Sequence, residues 1–211
     1  MERSVKLNYF NHIPANPGKK LILLRMGYRP NTTVLSAADQ NRLEEGIRLG
    51  FSLCHNQGVW TRLAIVRRNP EWIELENGLA VQSANLAKLL IHSDQAVLMA
   101  ATVGSAITDR IAAEIARGQA TLGVILDAVA SEVADACLDY MVAFIDKMLR
   151  KEGRHVTKHR FSPGYGDLPL EYQKGFFSLL QLEKLGLEIT ERCLLVPEKS
   201  VIAICGIERT E

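Results

Sequence analysis

The sequence predicts a single α+β domain with a mainly antiparallel sheet and flanking helices, one of them long, and three observations carry this. Short segments rich in β-branched and aromatic residues come in pairs joined by turn residues. Residues 59–67 and 72–75 flank Arg68-Asn69-Pro70-Glu71, and residues 188–196 and 200–207 flank Pro197-Glu198-Lys199 as a terminal hairpin. A nearly continuous apolar run at 95–103 reads as a buried strand. From 120 to 151 apolar residues recur at helical spacing without a break.

The remaining elements follow in order. Residues 1–17 mix polar and aromatic groups around Asn11, Pro14, Asn16 and Pro17, and read as an N-terminal arm with one edge strand at 5–10. Residues 19–28 form a short helix that stops at Arg29-Pro30, because a residue before proline is pushed out of the helical region. Ser36-Ala37-Ala38-Asp39 has the form of a capping box, and Leu43, Ile47, Phe51 and Cys54 give the helix it opens, 37–55, one buried face. Residues 83–92 form a further short helix and 106–117 another. Before the latter, at Gly104-Ser105, a helix cap by Ser105 is favoured over an anion-binding turn. In the long helix Leu122, Ile125, Val129, Val133, Ala136, Tyr140 and Phe144 mark the buried stripe. Glu132, Asp135 and Asp139 form an acidic row, either a solvated face or the source of a carboxylate for the positive end of a ligand. Residues 155–161 make a strand and 168–182 a helix with Phe176, Phe177, Leu179 and Leu180 inward.

Composition narrows the function classes. At 211 residues, 47% hydrophobic and 23% charged, the chain can bury a substantial core as one domain spanning 1–211. A formal net charge of +1 gives no field for steering nucleic acid or an anionic membrane surface, so neither is an expected partner. Cys54, Cys137, Cys193 and Cys205 are scattered without a C-x-x-C pair, which fits reduced thiols in a cytoplasmic protein. The chain lacks a basic-then-apolar leader and an apolar run of ~18 residues, so a soluble, intracellular protein is expected.

The most concentrated chemistry lies in Arg160-Phe161-Ser162-Pro163-Gly164-Tyr165-Gly166-Asp167-Leu168-Pro169-Leu170-Glu171. The prolines stiffen this loop, Gly164 and Gly166 admit positive φ or close backbone approach, and Asp167 is placed to cap a helix beginning at Leu168. A guanidinium, a ring and helix-start amides then face one small volume, which suits a ligand with a carboxylate and a flat ring. Tyr165 either lines that ligand or packs on its own loop. Other groupings fall short. His155 and His159 stand four apart on a strand with no third ligand, so no metal is expected. There is no G-x-S-x-G elbow, and Gly164-x-Gly166 lacks the third glycine and the βαβ context of a dinucleotide site. No catalytic residue is assigned.

Arg160-x-x-x-Gly164-Tyr165, followed by Pro169, Leu185-Gly186-Leu187-Glu188-Ile189-Thr190-Glu191 and Pro197-x-x-Ser200-Val201, resembles the S-adenosylmethionine-binding activation domain of cobalamin-dependent methionine synthase. Ser-Pro-Gly-Tyr-Gly-Asp resembles the small stand-alone relatives of that domain, and the likeness runs from about Leu122 to Gly206. It implies the same activation-domain fold and a protein that binds S-adenosylmethionine to assist reductive remethylation of a corrinoid held by a partner methyltransferase, methionine synthase first among them. A non-catalytic docking or ligand-sensing subunit is the alternative. The resemblance puts Arg160 at the ligand carboxylate, Gly164 and Tyr165 at the adjoining wall, and Asp135, where relatives carry Glu, at the amino or sulfonium end. Asp-x-His-x-x-Gly, the corrinoid-carrying signature, does not occur, so the cobalamin belongs to the partner. A corrinoid-binding methyltransferase and an electron donor such as flavodoxin or ferredoxin are the implied partners, with self-association left open.

Overall fold

The computed structural model describes residues 5–29 and 32–210. In chain order these form β1 (Asn8–Phe10), α1 (Lys19–Arg25), α2 (Ala37–Leu53), β2 (Gln57–Asn69), β3 (Trp72–Leu75), β4 (Ala80–Gln82), α3 (Ala84–Leu89) and β5 (Gln95–Thr102). They continue with α4 (Ser105–Ala116), α5 (Ala120–Leu149), β6 (Arg154–Val156), α6 (Tyr172–Leu180), β7 (Glu188–Ile189), β8 (Leu195–Val196) and β9 (Ser200–Arg209). The main sheet runs β4-β3-β2-β5-β9-β6, and β1 lies beside the first half of β2. Every pairing between these strands is antiparallel. The mixed fold, antiparallel sheet and long helix agree with the sequence.

Strand β5 reads as an unbroken apolar run because both of its faces are covered. Val97, Met99 and Ala101 belong to the core under α1, α2, α4 and α5, while Ala96, Leu98 and Ala100 belong to a second core under α3 and α6. The neighbouring β9 divides in the same way, with Ala203, Cys205 and Ile207 on the α5 side and Ile202 and Ile204 opposite. The segment expected as an arm is built into the first core. Ile13 is fully buried, its amide donates to the Asn56 carbonyl, and the Asn56 amide donates back to the Ile13 carbonyl. Residues 1–4 and Pro30 lie outside the described residues.

Several boundaries differ from expectation for local reasons. Helix α1 ends at Arg25, ahead of the expected proline stop, because Gly27 turns left-handed at φ +84°, and Tyr28 N–H returns to the Leu23 carbonyl. Ser36 caps α2 by accepting the Asp39 N–H, as the capping box predicts. The cap assigned to Ser105 is absent. Gly104, at φ +78°, holds the N-cap position and Ser105 is the first helical residue. Residues 188–196 are not one strand of a terminal hairpin. Thr190 closes a tight turn by accepting the Leu194 N–H on its hydroxyl, so β7 pairs with β8, and β9 goes instead between β5 and β6. In α5 the buried stripe continues through Cys137, Met141, Ile145 and Leu149. Tyr140 and Phe144, expected within it, are exposed on its flank, where Phe10 meets both rings edge-on at 6.1 and 5.1 Å between centroids. No helix among the described residues is long and apolar enough to cross a membrane.

Helices α2 and α5 approach closely at Gly46 and Gly50. A Cβ built on Gly50 would stand 2.9 Å from the Cβ of Val129. Alanine at 50 should gain about 1 kcal/mol of helix propensity but lose about 1–3 kcal/mol to overpacking. Gly50→Ala is therefore expected to lower stability in denaturant melts, and adding Val129→Ala should cost less than the sum of the two single changes.

Candidate ligand-binding site

Arg160 owes its position to the far edge of the sheet. Strand β6 pairs with β9 from Arg154 to Val156, and Thr157 continues the ladder by exchanging bonds with Gly206. The chain then leaves the edge and returns at Phe161, which exchanges two backbone bonds of 2.8 Å with Ile204. Alternation along this edge sends Phe161 into the second core and Arg160 to the opposite face, where α5 lies. Helix α5 is tied along the same edge. Asp146 accepts the Val156 N–H at 3.2 Å, and two helical turns earlier Asp139 accepts from Arg160 Nη1 at 2.5 Å. The Arg160 guanidinium also lies near Cys205, whose thiol burial pushes up to about 12 against the arginine's opposing pull.

The loop after Arg160 is held by contacts the sequence did not reveal. Gly164 and Gly166 have φ of +89° and +55°, as their placement predicts. A Cβ on Gly166 would meet Phe161 at 3.0 Å and Asn85 at 3.1 Å, so close approach adds to the conformational demand. The helix expected from Leu168 begins at Tyr172, with Glu171 before it making no side-chain cap. Asp167 instead caps α3 across space. Its carboxylate accepts the Ser83 hydroxyl and, at 3.1 Å, the Asn85 N–H, while Ser83 accepts the Leu86 N–H. The amides expected to face a ligand are used inside the loop. Gly164 N–H bonds the Leu168 carbonyl, Tyr165 N–H the Ser162 carbonyl and Leu168 N–H the Tyr165 carbonyl. What the loop presents is the Tyr165 ring, 70% exposed. An open hollow of about 470 Å³ lies against the same loop, lined by Asn85, Lys88, Leu89, His159 and Phe161.

The acidic row of α5 is fully engaged. Arg25 of α1 bridges Glu132 and Asp135, at 2.9 Å to the latter, and Arg160 pairs with Asp139. Asp135 thus stands one helical turn from the carboxylate that Arg160 holds, on the same face but paired elsewhere. Sequence reasoning singled out Arg160, Gly164, Tyr165 and Asp135 and placed Asp139 in the same acidic row, but it missed that Arg25 and Arg160 pair with that row. The Asp139 side chain is 69% exposed and that of Arg160 29%. Exposed pairs of this kind contribute roughly 0–1 kcal/mol, so a ligand carboxylate can compete for the guanidinium. Elsewhere, His155 faces Glu208 at 3.6 Å across the β6–β9 pair. Among the described residues no group of three or more His, Cys, Asp or Glu side chains could hold a metal ion.

No family model matches the chain, and no curated protein matches its sequence. Among solved structures, the crystal structure of the MetH reactivation domain bound to AdoHcy superposes with a TM-score of 0.69 at 15% sequence identity, over 97% of this chain and 79% of that one. The fold described above is that of the MetH reactivation domain.

The Asp167 clamp makes the loop sensitive to acid. The Ser83 hydroxyl, helped by the Asn85 and Ala84 amides, holds the Asp167 carboxyl below the usual carboxylate range. A lowered folded-state value means the contribution is complete above the unfolded value and is lost as pH falls through the folded one. Thermal melts of wild type and Asp167→Asn should therefore differ most at neutral pH, wild type the more stable, and converge once the pH drops below the depressed value.

Proposed function

We propose that this protein binds S-adenosylmethionine and assists reductive remethylation of a corrinoid carried by a partner methyltransferase, with methionine synthase the leading partner. The observation that carries the reading is Arg160. It stands at the sheet edge, five positions before an exposed Tyr165 on a clamped loop, within a fold shared with a domain solved in complex with AdoHcy.

In this reading Arg160 takes the ligand carboxylate through charge-assisted hydrogen bonds, and Gly164 and Tyr165 line the adjoining wall. Asp135 serves the positive end of the ligand. The reaction balances as one methyl group from the sulfonium and one electron from a donor such as flavodoxin or ferredoxin, delivered to a Co(II) corrinoid substrate, with S-adenosylhomocysteine leaving. The sulfonium and the corrinoid supply the reactivity. The chain's own task is to bind, orient the methyl toward the partner and exclude water, which needs no acid, base or nucleophile of its own.

A second reading, a docking or ligand-sensing subunit of such a system, is favoured by one observation. Arg160 and Asp135 are both already ion-paired within the chain. Calorimetric titration separates the two. Wild type should bind S-adenosylmethionine, and Arg160→Ala should weaken binding about 10- to 100-fold, as the loss of a charged hydrogen bond of ~1.5–3 kcal/mol requires. Absence of heat up to millimolar ligand, with and without the corrinoid partner, would leave the docking role. Conversion of the partner's Co(II) absorbance to the methyl-Co(III) spectrum on adding protein, ligand and reductant tests the activity itself.

A further inference from the structure

Resting on the S-adenosylmethionine reading, we infer that Asp139 is a ligand-binding residue: an amino-acid zwitterion inserts into the Arg160–Asp139 ion pair, its carboxylate replacing Asp139 on Arg160 and its ammonium taking Asp139 as acceptor. The argument begins with the ligand. An α-carboxylate and an α-ammonium sit on one carbon, so their protein partners must be neighbours. Asp139 is the carboxylate in contact with Arg160, whereas Asp135 lies a turn of about 5.4 Å further along α5 and is shared with Glu132 on Arg25.

Exposure decides which partner moves. The Arg160 side chain is 29% exposed and its backbone is pinned by the Phe161–Ile204 bridge next to it, while the Asp139 side chain is 69% exposed on a helix surface. Asp139 can swing off the guanidinium and remain beside it. The charges agree. Glu132, Asp135 and Asp139 are three carboxylates against two guanidiniums, Arg25 and Arg160, which leaves one negative charge in the row. A zwitterion that also carries a sulfonium has one net positive charge and neutralises it, with Asp135 nearest the sulfonium end.

The two roles of Asp139, rival for Arg160 and acceptor for the ammonium, predict effects of opposite sign on two ligands. Calorimetry on the whole chain would use S-adenosylmethionine and its deaminated analogue lacking the α-amino group. Wild type should prefer the amino ligand by about tenfold or more, as loss of a charge-assisted hydrogen bond implies. In Asp139→Asn that preference should vanish. Binding of S-adenosylmethionine weakens, and binding of the deaminated analogue is unchanged or tighter because Arg160 has lost its competitor. An unfolding curve that overlays wild type excludes a folding defect. The inference is overturned if Asp139→Asn keeps the preference, if it weakens both ligands alike, or if Asp135→Asn removes the preference instead. Those outcomes leave S-adenosylmethionine binding intact, whereas failure of wild type to bind either ligand at millimolar concentration removes both proposals.

Discussion

Helix α5 is wedged between helices α2 and α4 and the sheet, and the position of the candidate site follows from that packing. The helix buries Ile125, Leu126, Val129, Val133, Cys137, Met141, Ile145 and Leu149 along one side. Each fully buried side chain of this kind contributes about 1.5–3 kcal/mol before conformational entropy is subtracted, so the stripe dominates the stability of that layer. Close approach of α2 at Gly46 and Gly50 covers the start of the helix, and β6 meets its end. With both ends fixed, the polar flank has only one orientation open to it. Its acidic row faces Arg25 on one side and the sheet edge carrying Arg160 on the other.

The loop that carries Tyr165 is stiff for a different reason. Its prolines and glycines limit the conformations of the chain, but what selects one of them is a set of long-range contacts. Asp167 is held at the start of α3, Leu168 is buried in the second core, and the Tyr172 hydroxyl accepts the Gln82 N–H. A loop secured at both ends to the sheet and to a helix can leave an aromatic ring standing in solvent without collapsing onto it. Such pre-ordering lowers the entropy lost when a ligand binds.

The arrangement of charge also gives the candidate site a stable resting state. Every carboxylate in the α5 row touches a guanidinium, Glu132 and Asp135 sharing Arg25, so none stands unpaired although the row keeps one net negative charge. Because Asp139 is largely exposed to water, breaking its pair with Arg160 costs little.

How much of this was legible in the sequence depends on the range of the interaction concerned. Helix α5, strand β5, the β2–β3 hairpin and the Ser36 cap follow from periodicity and from contacts within a few residues, and the positive φ at Gly164 and Gly166 follows from turn chemistry in the same way. The fold class was therefore readable, and Arg160-x-x-x-Gly164-Tyr165 stood out there as the candidate site. Tertiary structure alone decided that Asp167 caps a helix 82 positions away at Asn85, that Arg25 reaches Asp135 across 110 positions, and that β9 separates β5 from β6. Those outcomes rest on which surfaces meet after the chain has folded back on itself, and a hydrogen bond or ion pair between such distant residues leaves no periodicity by which to find it.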